Sequence, residues 1–263
     1  MLRCKMKTAI FFDVDNTIYC HKDHKIPEQT KKLLNLLSQQ EDIVLGLATG
    51  RGLKKLEIVK EVLPYFTYKV LLNGAYVLKN DEVVYDLPIK QEDVIEVLNY
   101  TKAHDINIGM IGIDDEAVNY MDQNFLDGMK MLRDIKPNVD EKFYEHHKVY
   151  QLWMFAKNED EVFKAADLMP KFRVFPWHAG GADFTYPNIN KAHGIKKCLE
   201  VDEISRLICV GDGANDVDMI ELADIGIVMD NTRFQALKEK ADYIAPHIHE
   251  DQLYDFFKKL NLV

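Results

Sequence analysis

With 263 residues, 47% of them hydrophobic and 29% charged, the chain holds enough apolar material for one large core or two modest ones, so disorder is not the expectation. A formal net charge of −10 argues against a nucleic-acid partner, because phosphate backbones demand clustered Lys and Arg; any phosphate bound here must be held by local groups or by a metal. No apolar run nears the roughly 20 residues that span a bilayer, so no membrane partner is expected either.

The first six residues carry no apolar segment of the secretory kind, and a cytoplasmic location is the simplest expectation. Cys4, Cys20, Cys198 and Cys209 show no CxxC spacing, which favours reduced thiols over bridges, and the histidines contain no HExxH pair.

Ala9 to Phe12 form an uninterrupted apolar run that ends in Asp13 and Asp15. This is the pattern of a parallel strand buried on both faces, delivering two carboxylates to its carboxyl end. In an open α/β sheet that edge is where ligands sit. Two acids one residue apart repel each other, so a cation is the natural third party. After a short polar segment, Pro27-Glu28 opens a helix whose Leu33, Leu34, Leu36 and Leu37 recur at helical spacing. Residues 43–48 read as a second buried strand ending in Thr49-Gly50-Arg51, 52–63 as a helix stopped by Pro64, and 68–72 as a third strand ending in Asn73-Gly74-Ala75. Alternating strands and helices imply a right-handed parallel sheet.

From Tyr76 the rhythm changes. Two short strand-like pieces flank Asn80-Asp81, a hairpin signature. Helical patterns then fall at 92–103, 124–132 and 160–169, and strand-like runs at 106–111, 149–155, 172–177 and 182–186. The parallel pattern resumes with a helix at 191–199, then a strand at 207–210 that runs into Gly211-Asp212-Gly213-Ala214-Asn215-Asp216. A helix at 217–223, strands at 225–229 and 243–244 and an amphipathic helix at 251–260 close the chain. The expected fold class is therefore α/β: a Rossmann-like parallel-sheet core of three α/β/α layers built from 1–85 and 185–263, with an α+β cap domain, 86–184, inserted into it.

Four signals fall in one order along the chain. Asp13-Val14-Asp15-Asn16-Thr17, Thr49-Gly50, Lys191 and Gly211 to Asp216 each are modest alone, the third being by itself only a lysine. The two glycines of the last permit backbone conformations closed to other residues. Together they supply what phosphoryl transfer needs: carboxylates for a hard divalent ion, a hydroxyl at Thr49, an amide at Gly50 opening a helix, and positive charge at Lys191.

These motifs closely resemble those of the haloacid dehalogenase-like superfamily of phosphohydrolases. Because the insert lies between the second and third motifs and the fourth has a GDGxND form, the chain looks like the Cof-type branch with the larger α/β cap. The resemblance covers roughly residues 5–85 and 185–262. It implies that Asp13 is the nucleophile that becomes an aspartyl phosphate and Asp15 the general acid and base. It further implies that Mg²⁺ is held by the Asp13 carboxylate, the Asp15 backbone carbonyl and Asp212. Thr49, Gly50 and Lys191 match phosphate-binding positions, with Asn215 set to orient Lys191 or the phosphate and Asp216 as support behind them. Asn16 stands where many members have glycine, and asparagine tolerates left-handed backbone angles.

The resemblance also implies a Mg²⁺-dependent phosphatase acting on small phosphorylated metabolites, sugar phosphates first, with the insert choosing the leaving group. Trp177 and His178 are the insert's candidate substrate contacts, set against an ordinary hairpin turn with a core tryptophan. A phosphomutase or other phosphotransferase, and a phosphometabolite-binding regulator without turnover, are the alternatives. Oligomeric state is not legible.

Overall fold

The apolar run Ala9 to Phe12 becomes the inner part of β1 (Lys7–Phe12), and all four of its side chains are buried. In the computed structural model, which describes residues 7–129, 137–176 and 180–263, the chain divides into two compact units. The first takes the chain up to Gly50, then Leu56–Tyr85 and Lys191–Val263; the second takes Arg51–Lys55 and Asp86–Asn190.

In the first unit β1 is followed by α1 (Glu28–Ser38), β2 (Ile43–Ala48), β3 (Tyr68–Leu71), β4 (Tyr76–Lys79) and β5 (Glu82–Asp86). The helix forms because Thr30, Leu33, Leu34 and Leu37 make one buried stripe at three- and four-residue spacing. Between β4 and β5, Asn80 and Asp81 take φ angles of 47° and 66°, the left-handed pair that a two-residue hairpin of matching twist requires.

The helix expected over 52–63 is instead two 3-10 turns, Leu53–Val59 and Leu63–Tyr65. Lys60 and Val62 each donate to a carbonyl three residues back, and the Leu53 amide goes to the Ile113 carbonyl at 2.8 Å rather than into a helix of its own. Gly52 at the start, Pro64 at the end and branched Ile58, Val59 and Val62 between them leave little to drive an α-helix.

The second unit runs α2 (Gln91–Ala103), β6 (Asn107–Ile111), β7 (Glu116–Val118), α3 (Gln123–Met129), β8 (Asn138–Val139), α4 (Phe143–His146), β9 (Gln151–Phe155), α5 (Glu159–Leu168), β10 (Arg173–Pro176) and β11 (Gly181–Thr185). Its sheet has the order β10-β11-β9-β6-β7-β8, antiparallel throughout except for the β7–β8 pair. Val94, Val97, Ile108, Met110, Leu152, Met154 and Phe184 share its own apolar core. β7 escapes sequence reading because it is three residues long and opens on Glu116, which is buried against Lys55 at 2.7 Å.

The first unit then resumes with α6 (Lys191–Leu199), β12 (Ile204–Gly211), α7 (Val217–Leu222), β13 (Ile225–Met229), α8 (Gln235–Lys240), β14 (Tyr243–Ala245) and α9 (Leu253–Lys259). Its sheet order is β14-β13-β12-β1-β2-β3-β4-β5, parallel from β14 to β3 and antiparallel from β3 to β4. β1 is thus the central strand, flanked by β2 from its own neighbourhood and by β12 from the far end of the chain. The order in which strands are added reverses at β1, with β2 and β3 to one side and β12 to β14 to the other, and such a switch point is where an open α/β sheet forms a crevice. Among the described residues, no helix is long and apolar enough to cross a membrane.

Candidate active site

Parallel neighbours end on the same edge, so β1, β2 and β12 bring Asp13, Thr49 and Asp212 together by topology alone. The Asp13 amide extends the ladder to the Val210 carbonyl at 2.9 Å, and the Thr49 amide reaches Val70 at 2.9 Å. α6 begins with Lys191, whose side chain is wholly buried. Its Nζ donates to Asp13 Oδ1 and to Asp216 Oδ1, each at 2.5 Å.

Asp216 is engaged at both oxygens. Its Oδ2 accepts from the Asp212 and Gly213 amides, both at 2.8 Å, so the loop after β12 wraps around this carboxylate. That closure explains the glycines and corrects the expectation that they supply unusual backbone angles. Gly74 is the only positive-φ glycine among the described residues. A Cβ on Gly211 would lie 2.5 Å from the Asp216 carboxyl, and one on Gly213 would lie 2.6 Å from Asn215 Oδ1. Space, rather than φ, is what these positions need.

Gly50 likewise differs from expectation. It sits in a bend ahead of the 3-10 turn that starts at Leu53, so it does not open a helix and no helix dipole reinforces its amide. Asn215 reaches Asn73 rather than Lys191: its Nδ2 donates to Asn73 Oδ1 at 2.8 Å. Asn73 is buried and holds φ at 53°. Asn16 adopts φ 54°, the left-handed angle its side chain tolerates. Trp177 and His178 lie outside the described residues.

Three residues that sequence reasoning did not single out complete the surroundings. Asn231 Nδ2 donates to Asp212 Oδ2 at 2.9 Å and to the Asn16 carbonyl at 3.1 Å, while its Oδ1 accepts from Ile248 at 3.0 Å. Its signal was present, since Asp230-Asn231-Thr232 is one more polar triplet after a buried parallel strand. Asn73 carried the same signal after β3. His21 had none: its Nε2 contacts Asp15 Oδ1 from a short loop, without any periodicity to mark it.

Burial raises the Asp13 carboxyl most, Lys191 opposes it, and Asp216 and Asp15 add to it, so the group is pushed up to about 7. Burial, then Asp13 and Asp216, hold Asp212 well above the usual carboxylate range. Burial alone lowers the Lys191 amine, but Asp13 and Asp216 outweigh it and the net direction is upward. Carboxylate oxygens of Asp13, Asp212 and Asp216 lie within 4.8 Å of one another. Two buried acids and the half-buried Asp212 against one ammonium leave negative charge uncompensated, which is costly in a protein interior. The donors are hard oxygens of the kind a Mg²⁺-class ion takes. With Asp216 engaged by Lys191 and two amides, Asp13 and Asp212 are the pair that fits such an ion.

A model of the haloacid dehalogenase-like hydrolase family matches residues 10–257. YkrA of Bacillus subtilis (strain 168), provisionally named a phosphatase, is 32% identical over 257 residues, covering 97% of this chain and 98% of the relative. YitU of the same organism, a 5-amino-6-(5-phospho-D-ribitylamino)uracil phosphatase, is 24% identical over 279 residues, covering 95% of this chain and 96% of its own. Among solved structures, the phosphatase BT1666 of Bacteroides thetaiotaomicron superposes with a TM-score of 0.88 at 22% identity, covering 100% of this chain and 98% of that one. The subclass IIB sugar phosphatase BT4131 gives 0.85 at 24% identity, covering 98% and 100%. At those identities the two structures establish a shared fold.

Proposed function

Because this chain belongs to the haloacid dehalogenase-like hydrolase family, we propose that it is a phosphatase that hydrolyses small phosphomonoesters through a phosphorylated Asp13, with Mg²⁺ held by Asp13, the Asp15 backbone carbonyl and Asp212. The observation that carries this reading is the buried Asp13 carboxylate, oriented by Lys191 at 2.5 Å and set beside Asp212. A magnesium ion there would keep Asp13 ionised and draw charge from the phosphoryl oxygens.

An Asp13 oxygen attacks phosphorus, and the bond to the ester oxygen breaks as Asp15 gives that oxygen a proton. Asp15 then takes a proton from water, which attacks the phosphoaspartate; the bond to Asp13 breaks and inorganic phosphate leaves. Lys191 fixes the Asp13 carboxylate and offsets phosphate charge, while Thr49 and Gly50 supply donors at the neighbouring strand end. Asp216 positions Lys191, and Asn215, tied to Asn73, lines the same edge.

Phosphorylated sugars and polyols lead as substrates because the name of YitU specifies a phosphorylated ribityl chain. Selection among them is assigned to residues 86–184, with 1–85 and 185–263 as the catalytic core, Trp177 and His178 included among the residues to vary. The test is a panel of phosphorylated metabolites with and without Mg²⁺, scored by released inorganic phosphate. Asp13→Asn is expected to abolish release while still binding substrate, and Asp15→Asn to slow formation and breakdown of the phosphoenzyme alike. Normal turnover by Asp13→Asn would refute the mechanism.

A further inference from the structure

A second cluster of metal-ligating side chains lies in the first unit, apart from Asp13, Asp212 and Asp216. Cys20 Sγ is 3.3 Å from His249 Nδ1 and 3.4 Å from Asp23 Oδ2, and His249 Nδ1 is 2.9 Å from the same Asp23 oxygen. The three donor atoms lie within 4.8 Å of one another. They come from two places in the chain. Cys20 and Asp23 sit on a tight loop closed by the Cys20 amide on the Lys25 carbonyl at 2.9 Å, and His249 sits in the 3-10 turn Ile248–Glu250 ahead of α9.

The geometry points to a binding site for a borderline-soft divalent ion of the zinc class, held by Cys20, Asp23 and His249. The donor set is one sulfur, one imidazole nitrogen and one carboxylate oxygen, which suits Zn²⁺ or Co²⁺ and is unsuited to Mg²⁺. Tetrahedral zinc with its ordinary bond lengths sets its ligand atoms roughly 3.3 to 3.7 Å apart. Two of the three separations already fall there, and the third needs to open by roughly half an ångström.

Convergence of thiol and carboxylate on one ring nitrogen also distinguishes the cluster from a proton relay, in which they would sit on opposite nitrogens of the imidazole. The His249 ring is oriented in advance: it stacks on His247 at 4.7 Å, and its own amide donates to His247 Nδ1 at 3.2 Å. Cys20 is buried while Asp23 and His249 reach the surface, so an ion could enter from solvent. Three protein ligands leave the fourth position for water. An ion here would pin the loop that carries His21, and with it the contact to Asp15, to the C-terminal segment.

The test uses the full chain, stripped with chelator and titrated with Co²⁺ in excess Mg²⁺, reading the thiolate-to-cobalt charge-transfer band. One equivalent is expected to saturate the band, Zn²⁺ to abolish it, and excess Mg²⁺ to leave it intact. Cys20→Ser should lose the band, Cys4→Ser and Asp212→Asn should keep it, and His249→Gln should weaken Co²⁺ binding roughly 10- to 100-fold or more. No thiolate band in the unaltered chain, or a band that survives Cys20→Ser, overturns the site. Should Cys20→Ser fail to fold, the surface variant His249→Gln decides, and unchanged Co²⁺ affinity there is equally fatal. Retention in Asp212→Asn keeps this result independent of the phosphatase assignment.

Discussion

Lys191 is a buried ammonium with a carboxylate oxygen at 2.5 Å on either side, and such a pair tolerates the loss of a partner poorly. Removing one member of a buried ion pair leaves the other desolvated, which costs about 3–5 kcal/mol. Asp216→Ala also orphans the Asp212 and Gly213 amides, so its unfolding free energy, measured by urea titration, is expected to drop by an amount in that range or above it. Asp13 gives a pH dependence of definite sign. Its carboxyl sits at about 7 in the fold against an ordinary 3.8, so the folded chain without a cation retains a proton that the unfolded chain releases. Stability from this group is complete below 3.8 and is lost as pH rises through 7. A cation that requires ionised Asp13 recovers what is lost. Adding Mg²⁺ is therefore expected to raise Tm more at about pH 8 than at about pH 5, and Asp13→Asn to flatten that difference.

At the scale of elements, the central strands and the hairpin were legible because each carries its own periodicity or turn chemistry. β1, β2 and β13 read as short apolar runs, and Asn80-Asp81 asked for the two left-handed residues that the structure shows. The turns at Leu53–Val59 were misread because apolar spacing alone does not separate an α-helix from 3-10 turns whose first amide is claimed elsewhere. α8 buries Leu237 alone among its residues and so left no stripe to find. Asp13, Asp15, Lys191 and Asp212 stood out at strand and helix ends, whereas Asn73 and Asn231 act through partners distant in sequence and His21 through a short loop with no periodicity. The glycines of the loop after β12 were visible but their reason was not, since only the folded loop shows Asp216 turning back against Gly211. Gly211→Ala tests that reason. The added methyl meets the Asp216 carboxyl at 2.5 Å, so stability should fall by about 1–3 kcal/mol, and phosphate release should lose kcat more than KM as Lys191 shifts.

For the whole molecule, the sheet of the first unit is assembled from two segments that the second unit separates. β1 pairs with β2 on one side through Thr8 to Phe12, and with β12 on the other through Lys7 to Phe12. The partner on one side is therefore made early in translation and the partner on the other only when Ile204–Gly211 leaves the ribosome. At ordinary synthesis rates that interval lasts on the order of ten seconds or more. Throughout it, Ala9, Ile10, Phe11 and Phe12 present an unpaired apolar edge, the arrangement most prone to wrong pairing between nascent chains. Slowing translation across the codons for residues 86–190 should then reduce the soluble yield, and co-expressed holdase chaperones should restore it; soluble and pelleted fractions measured after expression decide the matter.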